Sequence, residues 1–250
     1  MRIENGILYD VYNTDINADG SFVVPDSIRS IDTFAFSNCS GLTSVTIPDS
    51  VTCIGEYAFN GCSGLTSVII PESVTSIEEG AFGGCSGLSS ITVPNSVTKI
   101  GEGAFYSCYR LKTIVIGKGV VSIGDDAFCE CSKLKSKPDN YKAFSLTETG
   151  KLVCRDKTYT VDKKSMTRGE LKPCHNGIHY CTNLFDIFNY YCGEYGKDFV
   201  IGICDVSKEN IGGVGDSKRC ARWIKPTKIL TREEVLKIMN GDKNDESKDR

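Results

Sequence analysis

The sequence predicts a solenoid of stacked coils, each a short β-strand plus a short helical turn, followed by a small α/β (α+β) domain. Three observations predict it. From Leu42 the chain repeats itself four times at a spacing of 23 residues, the copies opening at Leu42, Leu65, Leu88 and Leu111. A partial copy, FVVPDSIRSIDTFAFSNC, precedes them from Phe22. The periodicity then stops after Leu134, and the remaining residues are mixed in character. One unit of this length cannot bury its own apolar side, so the copies must lie on one another.

Residues 1–21 are expected to cap the first coil. They are rich in Asp and Asn and offer Ile7, Leu8, Val11 and Tyr12 to close the open end, which keeps a bare strand edge from pairing with another chain. Residues 22–134 hold the repeats. In the unit LTSVTIPDSVTCIGEYAFNGCSG, Leu42, Val45 and Ile47 mark a strand with its apolar side inward, and Ser44 and Thr46 point out. Pro48 ends the strand because it lacks an N–H, and Asp49-Ser50 supplies turn chemistry. Val51 and Ile54 bring the chain back to the core. Ala58-Phe59 is read as a helical turn that lays its ring on the rings of Phe36, Phe82, Phe105 and Phe128, the same position in the other units.

These residues carry a resemblance. The run IP-x-SVT-x-IG-x-x-AF-x-x-C over residues 22–134 resembles the BspA-like subclass of leucine-rich repeats. That resemblance implies a leucine-rich repeat solenoid used as an adhesion or protein-interaction surface. The outward strand positions, Ser44, Thr46, Ser67, Ile69, Ser90, Thr92, Thr113 and Val115, are the candidate interaction face, because stacked strands present them as one surface. They are small and uncharged, with no Tyr, Trp or Arg anchor. The plainer alternative is a set of β-formers on a solvated face.

Five of the thirteen cysteines, Cys39, Cys62, Cys85, Cys108 and Cys131, are one repeat position. Neighbouring strands lie about 4.7–4.9 Å apart, within reach of a bridge, but an odd column cannot pair completely. Buried, reduced filler in a cytosol is the expectation. Cys129 is expected to be exposed and oxidisable.

A net charge of -3 and a pI near 5.6 leave no basic field for a phosphate backbone, which argues against nucleic acid as a partner. No run approaches the length of apolar residues that inserts into a membrane, and Glu4 and Asp10 stand where a signal peptide needs an apolar core. The chain is read as cytoplasmic, with a protein partner.

Residues 135–140 are read as a linker, 141–241 as the α+β domain and 242–250 as a disordered charged tail. Strands are expected at 141–146, 158–161 and 199–205. One helix is expected over 184–192, with Asn183 as N-cap and Gly193 past its end. Another follows Thr231, which forms a capping box with Glu234 and presents Val235, Leu236, Ile238 and Met239 as its buried stripe.

The densest chemistry is Cys174-His175-Asn-Gly-Ile-His179-Tyr-Cys181, which holds both histidines. Cys174, His175, His179 and Cys181 are candidate zinc ligands. Asn176-Gly177 reads as a turn that separates the first pair from the second, and there is no Cys-x-x-Cys unit. A structural histidine and buried thiols are therefore preferred, with no metal and no cofactor expected. Tyr-Lys-Ala-Phe from Tyr141, Pro-Cys-x-x-Gly-x-His-x-Cys from Pro173 and Asp216-Ser-Lys resemble an uncharacterised bacterial and phage domain.

Gly177-Ile-His-Tyr-Cys181, Asn189-Tyr-Tyr191 and the run from Phe199 are also similar to ADP-ribosyltransferases. This implies a ligand cleft of Tyr141, Lys142, His179 and Tyr191 around a nicotinamide. His179 replaces the stacking Tyr, however, and no glutamate stands where those enzymes keep their catalytic acid, so no catalytic residue is assigned. Gly212-Gly-Val-Gly215 lacks phosphate-loop spacing. The resulting expectation is a non-catalytic protein-interaction module. An ADP-ribosyltransferase-like enzyme, or an NAD- or nucleotide-binding domain, is the alternative.

Overall fold

The computed structural model describes residues 1–135 continuously, then 141–146, 152–154, 157–159, 165–166, 178–181, 184–189, 193–194, 199–206, 210–212, 218–221 and 223–241. The chain forms two compact units, Met1–Leu134 and Lys135–Arg250.

The first unit is the solenoid. Strands Ser21–Val23, Ser44–Thr46 and Ser67–Ile69 pair in parallel, as do Ser90–Val93 and Thr113–Ile116. The register is the sequence repeat itself: Val45 pairs with Val68 and Ile91 with Ile114. Each coil also carries a second, two-residue strand that the sequence reading left as a return to the core. These strands, Ser30–Ile31, Cys53–Ile54, Ser76–Ile77, Lys99–Ile100 and Ser122–Ile123, stack in parallel in that order. Their isoleucines form a column in which Ile31, Ile54, Ile77 and Ile100 are fully buried.

The Ala-Phe segment is not a helix. It is a run of turns in which alternate amides serve different partners. Ala58, Asn60 and Cys62 donate back to Gly55, Tyr57 and Phe59, while Tyr57, Phe59 and Gly61 donate across to Glu79, Ala81 and Gly83 of the next coil. A helix would spend those amides internally, and a segment this short cannot repay helix nucleation. Two positions in each coil then need φ above zero, as at Tyr57 (54°) and Gly61 (72°). The rings stand in one column, with centroids 4.7 Å apart for Phe36–Phe59, 5.2 Å for Phe59–Phe82, 5.7 Å for Phe82–Phe105 and 5.8 Å for Phe105–Phe128.

The first coil is sealed by an antiparallel hairpin, Arg2–Glu4 with Ile7–Asp10. Its turn is Asn5-Gly6, both residues at positive φ, which is the geometry of a tight two-residue hairpin. Ile7–Asp10 then pairs in parallel with Ser30–Ile31, and Leu8 and Val11 are buried. Tyr12, expected to help close the end, is 59% exposed instead.

In the second unit the strands follow the order Ser165–Met166, Trp223–Ile229, Phe199–Val206, Tyr141–Leu146, Ile178–Cys181, Lys218–Ala221, Asn210–Gly212. All these pairs are antiparallel. A side hairpin, Leu152–Cys154 with Lys157–Tyr159, pairs with Tyr141–Leu146. Leu184–Asn189 is a 3-10 helix rather than the longer α-helix expected, and Gly193 begins a short strand, Gly193–Glu194. The N-cap assigned to Asn183 lies outside the described residues, as do the tail 242–250 and most of the linker. Arg232–Met239 is an α-helix with the Thr231–Glu234 capping box in place. It buries Val235, Ile238 and Met239 and leaves Leu236 half-buried.

Candidate functional site

All eight outward strand positions lie where stacking puts them, on one side of the solenoid. The inner residues between them, Val45, Val68, Ile91 and Ile114, are buried. The registers within the two groups of paired strands, joined by the 23-residue repeat, sort the outer positions into two rows. One row is Ser44, Ser67, Ser90 and Thr113, preceded by Ser21. The other is Thr46, Ile69, Thr92 and Val115, preceded by Val23. Every residue of this second row is β-branched, and three are apolar in the open: Val23 at 63%, Ile69 at 78% and Val115 at 42%. The face is therefore less polar than a serine and threonine surface. It is also rigid, because β-branched residues have few χ1 choices on a strand.

Beside this face the hydroxyls of Thr43 and Thr66 each donate to a carbonyl of the preceding coil, Asp19 at 3.2 Å and Thr43 at 3.0 Å. Those hydroxyls secure the stack and are not free to recognise a partner.

The turn edge is chemically different, and the sequence reading did not single it out. Phe34 and Tyr57, both at positive φ, stack with centroids 5.1 Å apart, and Phe34 is 55% exposed. Glu56, Glu79, Glu102 and Asp125 hold one repeat position on successive coils, and the Tyr57 hydroxyl donates to Glu79. That hydrogen bond, followed by burial and the neighbouring carboxylates, pushes the Tyr57 hydroxyl up to about 12. Farther along, Glu130 accepts from Ser107 at 2.7 Å and Tyr109 at 2.8 Å, which hold its carboxyl below the usual range. The signal in the sequence was aromatic residues at variable positions of the repeat.

Each cysteine of the column is buried and donates its thiol to a carbonyl. Cys62, Cys85, Cys108 and Cys131 reach the Phe of a preceding coil at 3.0–3.2 Å, and Cys39 reaches Val11 at 3.2 Å. The Phe36 carbonyl thus takes two donors, the Cys39 amide and the Cys62 thiol. Burial pushes the Cys85 thiol up to about 12. Cys129, expected to be exposed, is half-buried. Burial first, then Asp126 and Glu130, push it up to about 11, so little thiolate forms near neutral pH. Brief alkylation of the native chain at pH 8 should therefore label the half-buried Cys53 and spare the column. Peptide mapping checks this, with full labelling of the column expected only in denaturant.

In the second unit, strand Ile178–Cys181 places His179 and Cys181 on one face of the sheet. Tyr141 is directly opposite Cys181 and so shares that face, while Lys142 falls on the other. Tyr191, Cys174 and His175 lie outside the described residues. Among the described residues no helix is long and apolar enough to cross a membrane.

Residues 11–135 match the BspA type leucine rich repeat region, in six copies, and residues 140–238 match a domain of unknown function, DUF7666. Neither match supports the ADP-ribosyltransferase likeness. A search of curated proteins returns no match. Among solved structures, the chain is similar to a leucine rich cell surface protein from Faecalibacterium prausnitzii, at 36% identity and a TM-score of 0.46 over 48% of this chain and 31% of that one. It is also similar to the leucine rich repeat protein of T. pallidum, at 32% identity and a TM-score of 0.49 over 52% of this chain and 61% of that one. A leucine-rich repeat protein from Bacteroides ovatus shows 26% identity and a TM-score of 0.34, over 44% and 40% of the two chains. The chain thus spans less than two thirds of each of these relatives.

Proposed function

This chain belongs to the BspA-type leucine-rich repeat family, and we propose from that premise that it is a non-catalytic protein-interaction module. Its contact surface is the outer strand face of the solenoid, centred on Ile69, with Thr46, Thr92 and Val115 beside it. The second unit is an accessory domain. The observation that carries this reading is the row of β-branched residues, three of them apolar and exposed, on strands too short to deform independently. Apolar side chains held rigidly in water lose little conformational freedom when a partner covers them. The face lacks a large anchor, so the contact is weak singly and gains from repetition. Free thiols along the column suit a reducing compartment, and we place the chain in the cytoplasm on that ground.

The test compares proteins captured by the immobilised chain with those captured by Ile69→Arg. Ile69 is exposed, so the substitution should leave stability within about 0.5 kcal/mol, checked by thermal melting. Proteins held by the parent and lost from Ile69→Arg support the reading. An identical captured set contradicts it.

A further inference from the structure

The second unit brings together residues that are far apart in sequence. Ile178–Cys181 pairs antiparallel with Lys218–Ala221, and the register sets His179 directly opposite Cys220 and Cys181 directly opposite Lys218. Residues directly opposite in an antiparallel pair share a face, as do residues two apart on one strand. His179, Cys181 and Cys220 therefore form a triangle on a single face. Two of its sides are about 4.5–5.5 Å and 6–7 Å at the backbone. Cys220 lies 39 residues beyond Cys181 and is absent from the eight-residue motif, so no local spacing announces it.

We propose that His179, Cys181 and Cys220 bind one zinc ion. Zinc is held by thiolate at about 2.3 Å and by imidazole at about 2.0–2.1 Å, and one histidine with two cysteines at neighbouring register positions on one face is a donor set of that kind. Two thiolates and a neutral imidazole balance its charge, and binding releases the two thiol protons. Soft sulfur with imidazole selects zinc over magnesium or calcium, which prefer oxygen. The fourth residue of the set, Lys218, is a cation and supplies no ligand, so the sheet supplies three positions and leaves the fourth to water. The sequence reading preferred no metal because its four candidates straddled a turn. Cys220 changes that balance by supplying a third ligand on the same side as His179 and Cys181. The inference does not depend on the strand face of the solenoid.

Cobalt(II) titration of the metal-stripped, reduced full-length chain tests it. We expect about one equivalent bound, with a thiolate-to-cobalt charge-transfer band that zinc bleaches. Cys220→Ser and Cys181→Ser should each abolish tight binding, and Cys53→Ser should leave it unchanged. Cys220→His keeps a ligand at the position, so it should retain the equivalent with a weaker band, even where Cys220→Ser compromises folding. Absence of the band in the folded parent, an undiminished band in Cys220→Ser, or lost binding in Cys220→His overturns the proposal.

Discussion

Phe82→Ala will lower the unfolding free energy by about 3–5 kcal/mol, the range for removing a fully enclosed aromatic side chain. Phe82 has no exposed surface and lies at the middle of the column, with rings 5.2 Å away on one side and 5.7 Å on the other. Its loss removes two stacking contacts and leaves a cavity. The walls of that cavity are fixed by inter-coil hydrogen bonds on both sides, Phe59 to Ala81 and Phe82 to Ala104, each 2.8 Å. Such a site cannot collapse easily, which places the cost at the upper end. Denaturant melts of the variant and the parent chain give the loss directly.

A larger loss is expected from Ile77→Asp, which should cost at least about 4 kcal/mol or abolish cooperative folding. Ile77 is fully buried and stands in register with Ile54 and Ile100, themselves fully buried. A carboxylate there has apolar neighbours above and below and must either ionise without a partner or take up a proton. Because each coil is held chiefly by its neighbours, a fault at the centre divides the stack into two pieces too short to stand alone. The conservative Ile77→Val, by contrast, should cost only about 0.5–1.5 kcal/mol and keep a single transition. Circular dichroism melts distinguish the two outcomes, and native stabilities are small enough that the first would empty the folded state.

The repeat made the solenoid legible because a period of 23 residues fixes the register between coils. Once Val45 stands on Val68, every other position follows. Two features escaped. The Ala-Phe segment has the composition of a helical turn, but its amides are shared with the next coil, a tertiary demand that no local pattern records. The two-residue strands ending at Ile31 to Ile123 are too short to show alternation. The hairpin that seals the first coil did have a signal, Asn5-Gly6, in a segment read for its apolar residues and its overall Asp and Asn content.

In the second unit the strand over 223–229 was missed because Pro226 normally argues against a strand. The fold accommodates it opposite Cys204, where the register with Phe199–Val206 shifts and the missing donor is absorbed. At Leu184–Asn189 the buried residues Leu184, Phe185, Ile187 and Phe188 fit a 3-10 and an α-helical period equally over so few positions. The outer strand face proposed here for interaction was legible from the outward alternation. Its apolar character became clear only when Val23, from the partial copy, joined the row of Ile69 and Val115.

The central claim is that each residue of the solenoid stands against the residue 23 places on, and paired cysteine substitutions on the open strand face measure it most directly. Thr46 and Ile69 are register partners, one strand spacing of about 4.7–4.9 Å apart, inside the range a disulfide spans. Thr46 and Thr92 are two spacings apart, about 9–10 Å, beyond it. The account predicts that Thr46→Cys with Ile69→Cys closes a disulfide under mild oxidation, while Thr46→Cys with Thr92→Cys does not. Equal closure of both pairs, or closure of the second alone, would contradict it.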